Sequence, residues 1–197
     1  MVVPVRNRIA ITPLSPNRAT IEAAIDEMLP WHRGGTAGNL GLAWGWRTIS
    51  PDWRGHWNNE TPPSMPFNYG EPLIDKVVVI MTDGQNQFYD WPGGNGAGPG
   101  GSDYTAYGRL DDFGYPTLDA ARQELDDRMA NTCALMKAEG IIIYTLTFGS
   151  TPSASTQDLY RNCATAANYY FHAPTNAQLA VAFRTIGTAL SNLRIAE

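Results

Sequence analysis

The segment KVVVIMTDGQN, Lys76 to Asn86, constrains this chain more than any other. Val77 to Met81 run apolar without polar alternation. A strand with one wet face alternates. A strand that is apolar throughout is buried on both faces, as in a parallel sheet covered by helices. Lys76 to Thr82 is therefore expected to be such a strand. It stops at Thr82-Asp83-Gly84, where glycine lets the backbone turn sharply and leaves room beside the carboxylate. In open α/β sheets, ligands bind beyond the carboxyl ends of the strands, and Asp83 sits at that edge.

The rest of the chain supplies alternating helices and strands. Arg8 to Pro13 is a short strand candidate. SPNRATIEAAIDEML predicts a helix capped by Ser15 or Asn17, with Ile21, Ala24, Ile25 and Met28 on one face. After the tight loop Gly34-Gly35-Thr36, Asn39 to Ile49 predicts a second helix. It ends at Ser50-Pro51 because the residue before proline avoids the α region. Residues 51 to 74 are irregular. Residues 84 to 116 form a long Gly-rich loop containing GGNGAGPGG, which lacks the Lys-Ser/Thr ending of a phosphate loop. Leu118 to Ala138 predicts a long helix with Leu118, Ala121, Leu125, Met129, Cys133 and Met136 on one face, closed by Gly140. Ile141 to Phe148 and Tyr169 to His172 are strands, with a short helix at Ser155 to Ala164 between them. Thr175-x-x-Gln178 is a capping box opening a last helix that carries Leu179, Phe183, Ile186, Leu190 and Leu193. This alternation predicts one α/β domain over 1 to 197 with a largely parallel sheet.

Composition narrows the function. The 197 residues carry a formal net charge of −5 and no Lys/Arg cluster, which argues against nucleic-acid binding. No stretch reaches the roughly 18 apolar residues of a membrane helix. The opening MVVPVRNRIAITPLSP has no apolar region of the export-signal kind. His32, His56 and His172 lie far apart, without metal-ligand spacing. Asn59-Glu60-Thr61 fits the glycosylation pattern by coincidence.

Two oxygen donors stand where the fold would place a ligand. Asp83 ends a strand, and Thr36 begins a helix after two glycines. A carboxylate and a hydroxyl suit a hard cation such as Mg²⁺ or Mn²⁺. The plainer alternative is that Asp83 closes a turn and Thr36 caps the helix after it.

Four segments carry a family resemblance: GGTAGNLGLAWGWRTISP (34 to 51), KVVVIMTDGQN (76 to 86), SDYTAYGRL (102 to 110), and CALMKAEGIIIYTLTFG with RNCATAANYYFHA and a closing helix. Together, over about residues 8 to 195, they resemble the C-terminal von Willebrand factor A-type (vWA) domain of TadG-like proteins of Tad (Flp) pilus assembly. The resemblance implies a Rossmann-like, mostly parallel sheet flanked by helices. It also implies a metal-ion-dependent adhesion site (MIDAS) built from an Asp-x-Ser-x-Ser loop, a Thr loop and an Asp loop. Thr36 matches the second motif and Asp83 the third. No Asp-x-Ser-x-Ser precedes Thr36, so the site is incomplete here. The expectation is a fragment lacking the family's opening strand, which would leave the Lys76 strand as an open edge. The alternative is a short protein whose sheet another chain completes by strand addition.

The resemblance further implies a periplasmic or extracytoplasmic setting, anchored upstream in full-length relatives. A Cys133–Cys163 disulfide would persist there; the alternative is two reduced core thiols. Trp44 and Trp46 are expected to pack their helix onto the sheet. Trp53, Trp57 and Trp91 lie in loops and are candidates for a partner surface. The implied function is a non-catalytic, adhesion-type module that binds another pilus-assembly component or a surface ligand. Two alternatives differ in class: a Mg²⁺-dependent hydrolase or phosphoryl-transfer domain using Asp83, with Asp103, Asp111 and Asp112 as further carboxylates, or a structural domain whose metal site has decayed.

Overall fold

The computed structural model describes residues 11–29, 35–57, 61–88, 101–150 and 152–193. Its elements are helices α1 (Arg18–Asp26) and α2 (Gly38–Ile49), strand β1 (Val77–Thr82), helices α3 (Leu110–Phe113) and α4 (Leu118–Ala138), strand β2 (Ile142–Phe148), helix α5 (Ala154–Cys163), strand β3 (Tyr170–Ala173) and helix α6 (Asn176–Leu193). The strands form a parallel sheet in the order β1-β2-β3. Val77 pairs with Ile142 and Thr82 with Thr147 along an unbroken register.

Local chemistry fixes the ends of these elements. Asn17, one of the two expected caps, accepts the Ala19 N–H and starts α1. Thr117 caps α4 through the Ala120 N–H, and Gly140 follows α4 at φ +76°, where a side chain would be strained. Thr175 and Gln178 close the capping box before α6. At the far end of α2, Lys76 Nζ donates to the carbonyls of Ile49 (2.6 Å) and Phe67 (2.7 Å). Burial pulls its pKa below the usual lysine value.

Helices cover the two faces of the sheet unequally. On one face Leu42, Ile49, Met129, Met136, Ile143 and Tyr160 join α2, α4 and α5 to the sheet, with Val78 and Ile80 packed against them. On the other face, Ala182 and Ile186 of α6 cover Tyr144 and Leu146 of β2. A third cluster packs Phe88 and Leu110 against Ala121 and Leu125 of α4.

Several expectations need correction. β1 is not buried on both faces: Val77 packs against the cluster under α6, but α6 sits over β2 and β3, and Val79 and Met81 further along are 40% and 49% exposed. Among the described residues β1 has one strand neighbour, so its other edge is open. Of the expected strand at 8 to 13, residues 11 to 13 form no strand and the rest lie outside the described residues. Helix α1 buries no residue, so Ile25 and Met28 of its expected apolar face remain exposed. Phe183 of α6 is 46% exposed, while its neighbour Ala182 turns inward to the sheet.

Cys133 of α4 and Cys163 of α5 are bonded, with their Cα atoms 5.2 Å apart. The bridge closes a separation of 30 residues around β2. Its reduction should cost about 3–4 kcal/mol in the chain-entropy model. Urea unfolding with and without reductant measures this, and equal midpoints would contradict it.

Candidate functional site

The site is built at the carboxyl end of β1. Thr82 is buried and folds the turn around itself: its Oγ1 accepts the Gly84 N–H at 3.2 Å and donates to the Gly84 carbonyl at 2.7 Å. Asp83 stands exposed at the tip, without a hydrogen bond or ion pair among the described residues. Four residues on, Gln87 and Thr36 form an antiparallel bridge through two main-chain bonds of 2.8 Å. The loop of Asp83 and the loop of Thr36 are thereby fastened together at the rim.

A second tie lies beneath the first. Asn86 is buried; its Oδ1 accepts the Gly38 N–H at 2.7 Å and its Nδ2 donates to Asp126 Oδ1 at 2.8 Å. One side chain thus joins the β1 loop, the start of α2 and the middle of α4. Tyr160 fills the space below. Burial pushes its hydroxyl pKa up to about 12; a hydrogen bond with Thr82 opposes that rise, and the Asp126 and Asp83 charges add to it. A Cβ on Gly38 would lie 2.9 Å from the Tyr160 hydroxyl and 3.0 Å from Asn86 Oδ1, so only glycine fits without displacement. Burial also raises the Asp126 pKa, against the pull of Asn86 and Arg122.

Beside Thr36 lies a cavity of about 200 Å³, lined by Thr36, Ala37, Gln87, Phe88, Thr105 and Tyr107 among others. The SDYTAYGRL segment therefore reaches the rim. Asn39, buried at the start of α2, donates to the Tyr107 hydroxyl at 2.7 Å.

The sequence reading did not single out Asn86, Asp126, Tyr160 or Gly38. The one signal for them was the polar run Gln85-Asn86-Gln87 directly after a buried strand. The further carboxylates weighed at 103, 111 and 112 belong to the insertion: Asp103 is buried, and Asp112 accepts the Arg109 N–H at the start of α3. Trp53 and Trp57 stack at 5.7 Å near the end of α2; Trp91 lies outside the described residues. Trp46 packs against the core and donates its Nε1–H to Tyr69, as a packing role requires, whereas Trp44 stacks edge-on to Trp53.

For a hard cation, the rim offers the correct donor chemistry in small number. Asp83 brings a carboxylate and Thr36 a hydroxyl, and among the described residues no group of three or more His, Cys, Asp or Glu converges. Mg²⁺ prefers six oxygens and gives up water reluctantly. Two protein donors leave most of its shell to water or to groups brought by another segment.

No family model matches the chain, and no curated protein matches it. Among solved structures it resembles the vWF domain of the type V pili tip protein Mfa5 from Porphyromonas gingivalis. There the identity is 18% and the TM-score 0.53, over 88% of this chain and 72% of that one. It also resembles the pilus adhesin SpaC from Lactobacillus rhamnosus GG, at 14% identity and TM-score 0.53, over 90% of this chain and 22% of SpaC. Proximal thread matrix protein 1 from the mussel byssus aligns at 19% identity and TM-score 0.45, over 91% of this chain and 29% of that one. The chain thus spans under a third of the length of SpaC and of the byssus protein. The likeness to Mfa5 and SpaC shows the fold: a parallel α/β sheet of the von Willebrand factor A type.

Two substitutions test the rim. Gly38→Ala should cost about 1–3 kcal/mol by overpacking against Tyr160 and Asn86. Asp126→Asn keeps an oxygen for Asn86 and removes the titration. An acid whose folded pKa is raised contributes stability that is full below its ordinary value of 3.8 and is lost as pH rises through the folded value. The Tm of Asp126→Asn should therefore gain on the parent as pH rises above that value. A constant difference across pH would contradict the assignment.

Proposed function

We propose that this chain is a non-catalytic, adhesion-type binding module of a pilus protein, akin to the TadG-like proteins of Tad (Flp) pilus assembly. The double main-chain bridge between Thr36 and Gln87 carries this reading, because it holds the Thr36 hydroxyl loop against the Asp83 carboxylate loop. Those are the two motifs that the resemblance assigns to the second and third loops of an adhesion-type cation site. In this reading Thr36 and Asp83 hold Mg²⁺ or Mn²⁺ at the rim, and an acidic side chain of the protein partner completes the shell. The pilus proteins among the structural neighbours favour the same setting, outside the cytoplasmic membrane.

The open edge of β1 favours a companion reading. A parallel strand with one free edge and a bare apolar side is a template for a further strand. Such a strand, from the same protein or from a partner, would pair with the free main-chain groups of β1 and extend the apolar face that carries Val79 and Met81. Its end would fall beside Asp83, where additional oxygen donors are needed. A hydrolase or phosphoryl-transfer site has less support, since Asp103 is buried in the insertion, Asp112 caps α3, and no described His, Cys, Asp or Glu cluster converges.

A cation that binds the native state alone must raise its stability. A site with a Kd of about 1 mM would gain roughly 1.4 kcal/mol at about 10 mM metal. Thermal unfolding with Mn²⁺ or Mg²⁺ should show a gain of that order or smaller, abolished by Asp83→Ala and reduced by Thr36→Ala. An equal gain in the Asp83→Ala variant would overturn the site, and turnover of a phosphoester lost in Asp83→Ala would favour the enzyme reading.

A further inference from the structure

Helix α2 runs from the rim to a cluster of aromatic side chains. Gly38 begins it at the rim, and Arg47 lies in its last turn, about 14 Å away along the axis. The Arg47 guanidinium lies 4.8 Å from the ring centre of Trp44 and 5.6 Å from that of Trp53. Trp53 is the hub of this nest. It meets Trp44 edge-on at 5.6 Å, Trp57 at 5.7 Å and His56 at 6.0 Å. Two indole faces therefore fix the arginine and shield part of it from water.

The nest is rich in donors and poor in acceptors. Arg47 makes no hydrogen bond or ion pair among the described residues, although it carries five N–H donors. The Trp57 Nε1–H is shielded from water and has no acceptor. The neighbouring charges are otherwise engaged. Arg54 donates to the Pro66 carbonyl and to Asn68, and the Asp52 carboxylate accepts from Ser50. A half-buried cation with no counter-charge among the described residues, in a chain of net charge −5, is a local exception that needs an explanation.

We infer that the Arg47–Trp44–Trp53–Trp57 nest is a second docking surface, which takes the carboxylate of an acidic segment of a protein partner. A guanidinium fork matches a carboxylate with two parallel charge-assisted bonds. Stacking has already restricted the arginine, so less freedom is lost on binding. Trp and Arg are also the residue types that dominate binding energy at protein interfaces. A neutral sugar fits less well, because the side chain at the centre of the nest, the Arg47 guanidinium, is donor-only and carries a charge that a sugar hydroxyl does not neutralise. This inference does not depend on the cation reading, since the surface lies at the other end of α2.

The test uses the full chain, with isotope-labelled Arg and Trp side chains observed by NMR. Hexaglutamate, hexaglutamine and hexagalacturonate serve as probes. Hexaglutamate should shift the Arg47 Nε–H and the Trp53 and Trp57 indole N–H signals, while hexaglutamine should not. Arg47→Gln should weaken hexaglutamate binding about tenfold or more with Tm nearly unchanged. Arg47→Lys keeps the charge but loses the fork, and should also weaken it. Absence of shifts at millimolar hexaglutamate would overturn the inference. So would full affinity in Arg47→Lys, which would reduce the surface to simple charge. Binding of hexagalacturonate without hexaglutamate would overturn it in favour of an anionic glycan.

Discussion

Among the described residues strand β1 is paired on one edge and covered mainly on one face, and the rest of the molecule is arranged around that asymmetry. Its inward residues Val78 and Ile80 lock into the core made by α2, α4 and α5. Its outward residues Val79 and Met81 are exposed, and no described helix covers them. Parallel strands are ordinarily buried on both faces, because the crossovers that connect them place helices there. An exposed apolar edge is a liability unless something covers it. The same strand delivers Asp83 to the rim, so the proposed cation site and the uncompleted edge of the sheet lie in one place.

The rim is rigid for reasons that do not involve a ligand. The Thr36–Gln87 bridge and the Asn86 tie bind the β1 loop to α2, and Asn86 extends the tie to α4. At the other end of α2, Lys76, the residue just before β1, fastens the last carbonyl of the helix. Helix and strand are thus clamped at both ends. The disulfide performs a similar service for α4 and α5 on either side of β2. Donor positions set by such ties would need little reorganisation if a ligand bound there.

Much of the architecture was legible in the residues. The apolar runs at 77 to 81 and 141 to 148 identified the parallel strands, and helical spacing with a terminal glycine fixed Leu118 to Ala138. The errors share a physical cause. An apolar pattern reports what a segment is suited to bury, whereas burial needs a partner surface. β1, α1 and Phe183 all carry apolar residues that no described element covers. Strand-end chemistry and resemblance singled out Thr36 and Asp83, and the Thr36–Gln87 bridge brings their two loops together. Asn86 and Asp126 were not singled out, since they act through contacts 40 residues apart that no local pattern encodes. The nest around Arg47 was half legible: Trp53 and Trp57 stood out as loop aromatics, but stacking on a helical arginine is a tertiary fact.

Hydrogen exchange along β1 tests the central claim most directly. Ile142 N–H donates to the Lys76 carbonyl, and backbone groups of a parallel strand alternate between its two sides. The amides of Val78 and Ile80 therefore face β2, while those of Val77, Val79 and Met81 face the open edge. The account predicts slow exchange at Val78 and Ile80 and fast exchange at Val79 and Met81 in the isolated chain. Equal protection at all four would contradict it, because it would mean that the edge is already paired.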